Sequence, residues 1–375
     1  MSGLSAHLFR YRCIGREKDS METIYLDSYG KINLSLDVLG KRDDGYHTVD
    51  MILQLITLHD KVGISWEDLT DEPAGDLIID EPGARDDVGQ TGAKIVISLS
   101  TDSPELPADS SNLAFRAAEA MAKTYGEEKT GRINIFIEKR IPIAAGLAGG
   151  SSNAAAVILG LAKLWGLEEP LTSLFETGAA LGADIPFCIA GLAKWNPILG
   201  EQYTEDPMAS PCMRGEGIGT DLTPVNSLLD TGVLLAKPDI GLSTGEIYTA
   251  LDAMDVPRHP DIPGIIEILE DPGLSDASRK DLLEKNMVNV LENVVFASYP
   301  IVVYTRNNLE QEAGGKNVFM SGSGPTLFAF ADAENKSALE EDLAAKGIQN
   351  IYWAETKLSE GLMQNETDEN PPVTL

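Results

Sequence analysis

Apolar and polar positions alternate from Thr23 to Leu39 (TIYLDSYGKINLSLDVL), so the spacing predicts a long strand. A polar turn, GKRDDGYH, follows, and VDMILQLITLHDKVGISW returns as one or two strands. IVISLS predicts a strand from Ile95, and SSNLAFRAAEAMAKTYG a helix with Ser110 or Ser111 as N-cap. INIFIEKRI alternates as a strand, then the glycine-rich text PIAAGLAGGSSN runs into the apolar helix AAAVILGLAKLW. A helix is expected over 171–181, followed by GADIPFC read as a loop. Further on, VLLAKP reads as a strand, STGEIYTALDAM as a helix, and a loop rich in Pro and Asp leads to helical stretches at 277–298 and about 301–313. VFMSGSGPTLFAFA predicts two strands hinged on glycines, SALEEDLAAKG a helix and IYWAETKL a last strand. No repeat interrupts this order, which predicts an α+β chain in two domains, 21–225 and 226–358. A loose leader (1–20) and a disordered tail (359–375) flank them. Two stretches fall outside the pattern. The acidic text at about 67–94, with a short strand at LIID, and the irregular text at about 194–213 both read as insertions.

Composition narrows the function classes. Lys and Arg number 29 against 59 Asp and Glu, a formal net charge of -30. Nucleic acid and anionic membranes both require a basic face, so neither is expected as a partner. A small anionic substrate needs only local positive charge. Segments 26–62 and 130–192 are close to balance, with four basic against six acidic residues and four against five; the acid lies mostly elsewhere. The three cysteines (Cys13, Cys188, Cys212) form no CxxC pair and the four histidines no HxxxH, which predicts neither a disulfide framework nor a zinc site and fits a reducing cytoplasm. No apolar run reaches the roughly 20 residues that span a bilayer. The first twenty residues lack the apolar stretch of a signal peptide; they carry four basic residues, so a transit peptide is conceivable, and Met21 is a possible natural start.

The chemistry concentrates in Pro142-Ile-Ala-Ala-Gly146-Leu147-Ala-Gly149-Gly150-Ser151-Ser152-Asn153. Glycines let backbone approach a ligand, and the helix that follows presents unpaired N–H groups and a positive dipole end, so the segment is a candidate phosphate cradle. Ser151 and Ser152 add hydroxyls and are expected to cap the helix. A plain glycine turn before a buried helix has the same composition. No GK[ST] makes it a Walker loop, and GEGIG at 215–219 lacks the helix of a dinucleotide fingerprint.

PIAAGLAGGSSNAA resembles the second motif of the GHMP kinase superfamily. SYGKINLSLDVLGKRDDGYHTVDMI, LGADIPFCIAG and MSGSGPTLFAF resemble, in the same order, the motifs of its 4-diphosphocytidyl-2-C-methyl-D-erythritol kinase family. The resemblance covers about residues 24–66, 91–193 and 213–358. It implies a two-domain GHMP kinase fold, S5-like then ferredoxin-like, and transfer of the ATP γ-phosphoryl group to the substrate's 2-hydroxyl. Mg²⁺ is implied by ATP, without an assignable protein ligand. By the motif match, Asp184 is the expected base and Lys31 its cationic partner. Strand alternation puts Lys31, Asn33 and Ser35 on one face. Asn33 would meet the methylerythritol part, Tyr46 and His47 the cytosine, and Tyr248 the other face of that base, with Thr244 nearby. For ATP the resemblance implies Gly146, Leu147, Gly149, Gly150, Ser151 and Ser152, with Pro142, Lys139, Asn112 and Leu113 bordering the nucleotide. Ser323 and Gly324 would shape the phosphate and substrate side.

Gly30 stands where the family usually has Ala, and Ala148 where many members have Gly. The second insertion follows GADIPFC closely and is expected to cover or reshape the cleft. Two alternatives stay open: a GHMP kinase for another alcohol such as homoserine or mevalonate, and a non-catalytic binding protein on the same fold. An S5-like nucleic-acid binder is opposed by the charge. The chain is expected to be a monomer or homodimer.

Overall fold

Two long strands carry the architecture. The computed structural model describes residues 21–69, 85–88, 94–228, 230–313 and 317–357. β1 (Met21–Lys41) and β2 (His47–Asp68) pair antiparallel along their whole length, with register shifts at Tyr29/Lys31, Asn33/Ser35 and Val38/Gly40. Each shift twists the strand and re-aims side chains. On its other edge β2 outlasts any one neighbour, so its two halves take different partners there.

The first sheet continues beside one half of β2 with β5 (Gly131–Glu138), β4 (Lys94–Thr101) and β3 (Arg85–Val88), and beside the other half with β6 (Cys212–Glu216) and β7 (Asp221–Pro224). β5 pairs with Lys61–Asp68 of β2, and β6 with Met51–Gln54. β4 and β5 run parallel, as the crossover helix α1 (Leu113–Tyr125) between them requires. In β5, Ile133, Ile135 and Ile137 are buried at every second position, as the alternation predicts. β3 lies inside the first insertion and pairs with β4, so that stretch extends the sheet edge; the strand expected at LIID lies outside the described residues, as do the leader and the tail.

Helices cover one face. α2 (Gly149–Leu164) is buried without a break from Ser152 to Ala162 and lies on β1 and β2. Gly160 allows the approach: a β-carbon there would come within 2.9 Å of Ile64 Cδ1. α3 (Leu171–Ala179) and α4 (Ile185–Trp195) follow, then a 3₁₀ turn (Pro197–Leu199) and α5 (Glu201–Thr204). α4 corrects the loop expected at GADIPFC. Its residues are apolar all round, so no 3.6-residue stripe marks it, and Pro186 sits in the first turn, where a helix tolerates proline. The stretch 194–213 is likewise more regular than expected. Leu199 and Tyr203 are buried, and Tyr203 Oη donates to Leu167 O at 3.0 Å, fastening it to the helical layer.

The second sheet has β8 (Gly232–Ala236), β9 (Phe319–Met320), β10 (Leu327–Phe330) and β11 (Ile351–Glu355) in the order β11-β8-β10-β9, all antiparallel. Between β8 and β9 lie α6 (Thr244–Leu251), α7 (Ile262–Glu270), α8 (Asp276–Asn286), α9 (Glu292–Ser298) and α10 (Pro300–Glu312); α11 (Lys336–Ala345) joins β10 to β11. The order is that of a split βαββαβ sheet, which is the expected ferredoxin-like unit. α7 corrects the loop expected between α6 and residue 277; Asp261 caps it by accepting from Gly264 N, and Pro263 occupies its first turn. The strand pair β1–β2 serves both layers. Leu26, Leu53 and Ile64 join the helical core, while Ile32, Leu34, Ile52 and Ile56 join Val233, Leu235, Phe328 and Phe330.

The turn between β9 and β10 is held from outside. Asn289 Nδ2 donates to Met320 O and Gly322 O, both at 2.8 Å, and Glu292 Oε1 accepts from Met320 N at 2.8 Å. Burial pushes the Glu292 carboxyl up to about 7, against that hydrogen bond and the Arg306 charge, which pull it down. Between an unfolded value of 4.5 and about 7 the folded state holds a proton that the unfolded state has lost, so this group's contribution to stability falls as pH rises through the window. E292Q keeps an acceptor without the charge. Urea titrations from pH 5 to 8 are expected to show E292Q gaining on the parent by up to about 3 kcal/mol; parallel curves would contradict the shift.

Candidate active site

The glycine-rich segment is built on a buried ion pair. Asp60, next to the β2 register shift, is fully buried; its Oδ1 accepts from Arg140 N and Ile141 N at 2.7 Å, and its Oδ2 pairs with Lys139 Nζ at 2.8 Å. Lys139 also donates to Ile141 O. Burial lowers the Lys139 pKa, opposed by the Asp60 charge and hydrogen bond. Beyond this knot the chain passes Pro142 and Ala144 (φ 51°), Gly146 (φ 76°) and Ala148 (φ 56°) before entering α2. Ala148 is the N-cap, left-handed and without a capping side chain, so the cap expected from Ser151 and Ser152 is not formed. A β-carbon in that region costs about 1–2 kcal/mol, which is why glycine suits the position.

Ser152 is fully buried and donates to Tyr29 O at 2.7 Å, locking α2 onto β1. Ser151 is half-buried, and Gly150 is exposed with only Leu113 Cδ1 near, 3.6 Å from where a β-carbon would stand. Asn112, not Ser110 or Ser111, caps α1: its Oδ1 accepts from Ala114 N at 2.9 Å while its Nδ2 donates to Pro107 O. The starts of α1 and α2 therefore adjoin. α2 carries no acidic residue in its first turn, so its open N–H groups and dipole face the space beside Gly150 unopposed.

β1 runs beneath the loop. Lys31 N donates to Leu147 O at 3.0 Å, and Lys31 Nζ donates to Asn33 Oδ1 at 2.8 Å. Lys31 is buried, and its ammonium lies 3.7 Å from Asp184 Oδ2, a carboxylate about one-third exposed. Asp184 sits at the N-cap of α4 but makes no capping bond with its side chain, which leaves the carboxylate to Lys31 and to the cleft. Ser35 does not join them: it exchanges hydrogen bonds with Val288, across the register shift after Asn33. At Gly30 an added methyl would lie 3.3 Å from Leu58 O and 3.5 Å from Leu147 O, so Ala fits after a few tenths of an ångström of relaxation.

The β9–β10 turn closes the far side. Ser321 Oγ donates to Gly146 O at 2.9 Å, and a β-carbon on Gly146 would stand 2.4 Å from Ser321 O. One on Gly322 would stand 3.4 Å from Lys31 Nζ. Ser323 and Thr244, at the start of α6, share a hydrogen bond of 2.8 Å, and Gly324 takes φ 78°. One turn into α6, the Tyr248 ring lies 5.0 Å from the His47 ring at 43°. Burial raises the Tyr248 hydroxyl's pKa, and the Asp184 charge adds to the effect. Tyr46 is 61% exposed at the lip. Asp60, Asn289, Glu292, Ser321 and Asp252 were not singled out from sequence. Of these only Asp252 had a readable signal, its four-residue spacing from Tyr248 on a helix.

The chain matches the GHMP kinases N terminal domain over residues 112–192 and the GHMP kinases C terminal domain over 265–349. It is 38% identical over 326 residues to the 4-diphosphocytidyl-2-C-methyl-D-erythritol kinase of Alkaliphilus oremlandii, covering 86% of this chain and 94% of that one. The chain belongs to the 4-diphosphocytidyl-2-C-methyl-D-erythritol kinase family of the GHMP kinases. The family's enzyme from Acetivibrio thermocellus is 35% identical over 333 residues, covering 89% of this chain and 97% of that one. A crystal structure of 4-(cytidine 5'-diphospho)-2C-methyl-D-erythritol kinase superposes with a TM-score of 0.62 at 25% identity, over 88% of this chain and 98% of that one. Homoserine kinase from Cytophaga hutchinsonii shares the fold, with a TM-score of 0.57 at 12% identity over 92% of this chain and 98% of that one. Membership in this family makes the chain an ATP-dependent phosphotransferase. Among the described residues no helix is long and apolar enough to cross a membrane.

The Asp60–Lys139 knot sets the approach to the loop. Asp60→Ala strands a buried ammonium and two backbone donors, and is expected to cost about 3–5 kcal/mol in urea unfolding. Lys139→Met leaves Asp60 two N–H donors and is expected to cost less; the reverse order would reject Asp60 as the hub.

Proposed function

We propose that the chain phosphorylates the 2-hydroxyl of 4-diphosphocytidyl-2-C-methyl-D-erythritol, a step of the non-mevalonate route to isoprenoid precursors, in the cytoplasm. What supports the reading is the Lys31–Asp184 pair, 3.7 Å apart, taken with the uncapped α2 N-terminus at exposed Gly150 and the His47–Tyr248 ring pair. A phosphate cradle, a carboxylate–ammonium pair and an aromatic slot suit a phosphoryl donor, an acceptor hydroxyl and a nucleobase.

ATP supplies the γ-phosphoryl group. The chain's own residues bind, orient and handle the proton. The N–H groups of Gly149, Gly150 and Ser151 hold phosphate oxygens, and Asn112 and Leu113 border the nucleotide beside them. Lys139 acts from behind, with its charge already paired to Asp60. Asp184 receives the hydroxyl proton as base. Lys31 holds Asp184 and Asn33 in place and offsets negative charge on the attacking oxygen. Asn33 orients the methylerythritol hydroxyls. Tyr46 and Tyr248 flank the cytosine, His47 hydrogen-bonds its edge, and Thr244, Ser323 and Gly324 wall the diphosphate side. Among the described residues no group of three or more His, Cys, Asp or Glu could hold a metal. The set present fits Mg²⁺ carried mainly by phosphate oxygens, with the Ser151 hydroxyl as a protein donor.

Asp184→Asn is expected to lower kcat by about 10²–10⁴-fold while ATP still protects the protein in thermal shift; turnover near the parent's would reject the base. His47→Ala is expected to raise KM for the cytidyl substrate about tenfold or more, a loss of about 1.4 kcal/mol, with KM for ATP nearly unchanged. Equal effects on both would reject the nucleobase slot. An ADP-release assay across the cytidyl substrate, homoserine and mevalonate tests the acceptor itself. Turnover of either of the last two in preference would replace this reading with that kinase.

A further inference from the structure

Asp252 lies at the C-terminal end of α6, one turn beyond Tyr248, and both of its oxygens are engaged. Oδ1 lies 2.7 Å from His47 Nε2, and Oδ2 lies 2.8 Å from Lys41 Nζ. The His47 side chain is 8% exposed, wedged between this carboxylate and the Tyr248 ring. The Lys41 and His47 hydrogen bonds hold the Asp252 carboxyl below the usual range, so it stands as a carboxylate. A carboxylate only accepts hydrogen bonds, so in the singly protonated imidazole the proton sits on Nε2, the nitrogen that faces Asp252. Nδ1 is then a bare acceptor, and it has no hydrogen-bond partner among the described residues. The family motif explains His47 and Tyr248; it assigns nothing to Asp252.

We propose that Asp252 is the positioning residue that makes the nucleobase slot selective for cytosine over uracil, by fixing the His47 tautomer that presents Nδ1 as an acceptor. Cytosine offers an amino donor at its 4 position, where uracil has a carbonyl that would face the Nδ1 lone pair. Lys41 holds the second carboxylate oxygen, so Asp252 cannot turn away from the ring without breaking an ion pair. Helical spacing makes the device compact: residues four apart share a face, so one helix delivers both the ring that stacks and the carboxylate that orients. The proposal rests on the function proposed above and adds the source of its base specificity.

The test compares kcat/KM for the cytidyl- and uridyl-diphospho-methylerythritol substrates in the parent, Asp252→Asn and Asp252→Ala. The parent is expected to prefer the cytidyl substrate by about 100-fold or more. Asn can rotate its amide to offer N–H to Nε2, which moves the ring proton to Nδ1. The preference is therefore expected to fall about tenfold or more in Asp252→Asn, through a higher KM for the cytidyl substrate rather than through kcat or KM for ATP. Asp252→Ala frees the ring and is expected to lose preference without gaining uridyl turnover. Nitrogen NMR of ¹⁵N-histidine protein reads the tautomer directly: Nε2–H at His47 in the parent, and a shift toward Nδ1–H in Asp252→Asn. A parent His47 in the Nδ1–H form, or an unchanged substrate ratio in both variants, would overturn the proposal. If the parent turned over neither substrate, the functional reading would fall, and the NMR result would still decide whether Asp252 fixes the tautomer.

Discussion

Backbone meets backbone at Gly146, and the cleft depends on that contact. The loop entering α2 and the β9–β10 turn come from different sheets, yet Ser321 Oγ reaches Gly146 O at 2.9 Å and no β-carbon could stand between them. Each partner is held by its own buried polar hub, the loop by Asp60 and the turn by Asn289 and Glu292. With both edges fixed, Lys31 and Asn33 on β1 have only one direction in which to face. Groups buried this deeply are tolerated because nearly every donor and acceptor has a partner, and removing one member exposes the desolvation cost of the others.

Much of the site could be read from the chain because its parts lie in contiguous text. The alternation around Lys31 and Asn33, the glycine segment before α2 and the glycine hinge in MSGSGPT each predict their local shape, and the structure brings all three together. The α+β class also followed from element order, whereas the ferredoxin-like unit was implied by the family resemblance. What could not be read was long-range. Nothing local to Asp60 distinguishes it from other polar residues on a strand; its role exists only because residues 139–141 fold back over it. Asn289 is in the same position, 33 residues from the carbonyl it holds.

The errors have a common cause. α4 is buried almost throughout and so has no polar stripe to mark it in the sequence, and of the two serines at the start of α2, Ser152 has its hydroxyl committed to Tyr29 O rather than to a cap. Strict alternation groups Ser35 with Lys31 and Asn33, but a register shift falls between Asn33 and Ser35. In each case tertiary burial overrode a sound local rule.

α2 is enclosed from Ser152 to Ala162 by β1, β2, α1 and α4, whereas α6 buries only Ile247 and Leu251 along its length. The two walls of the cleft therefore differ in stiffness. The α2 end is set in the main core. Adjustment to a bulky occupant falls to the lightly anchored α6, and with it to Thr244, Tyr248 and Asp252. Under the function proposed above, a firmly seated donor end would face an acceptor end with more room to adjust.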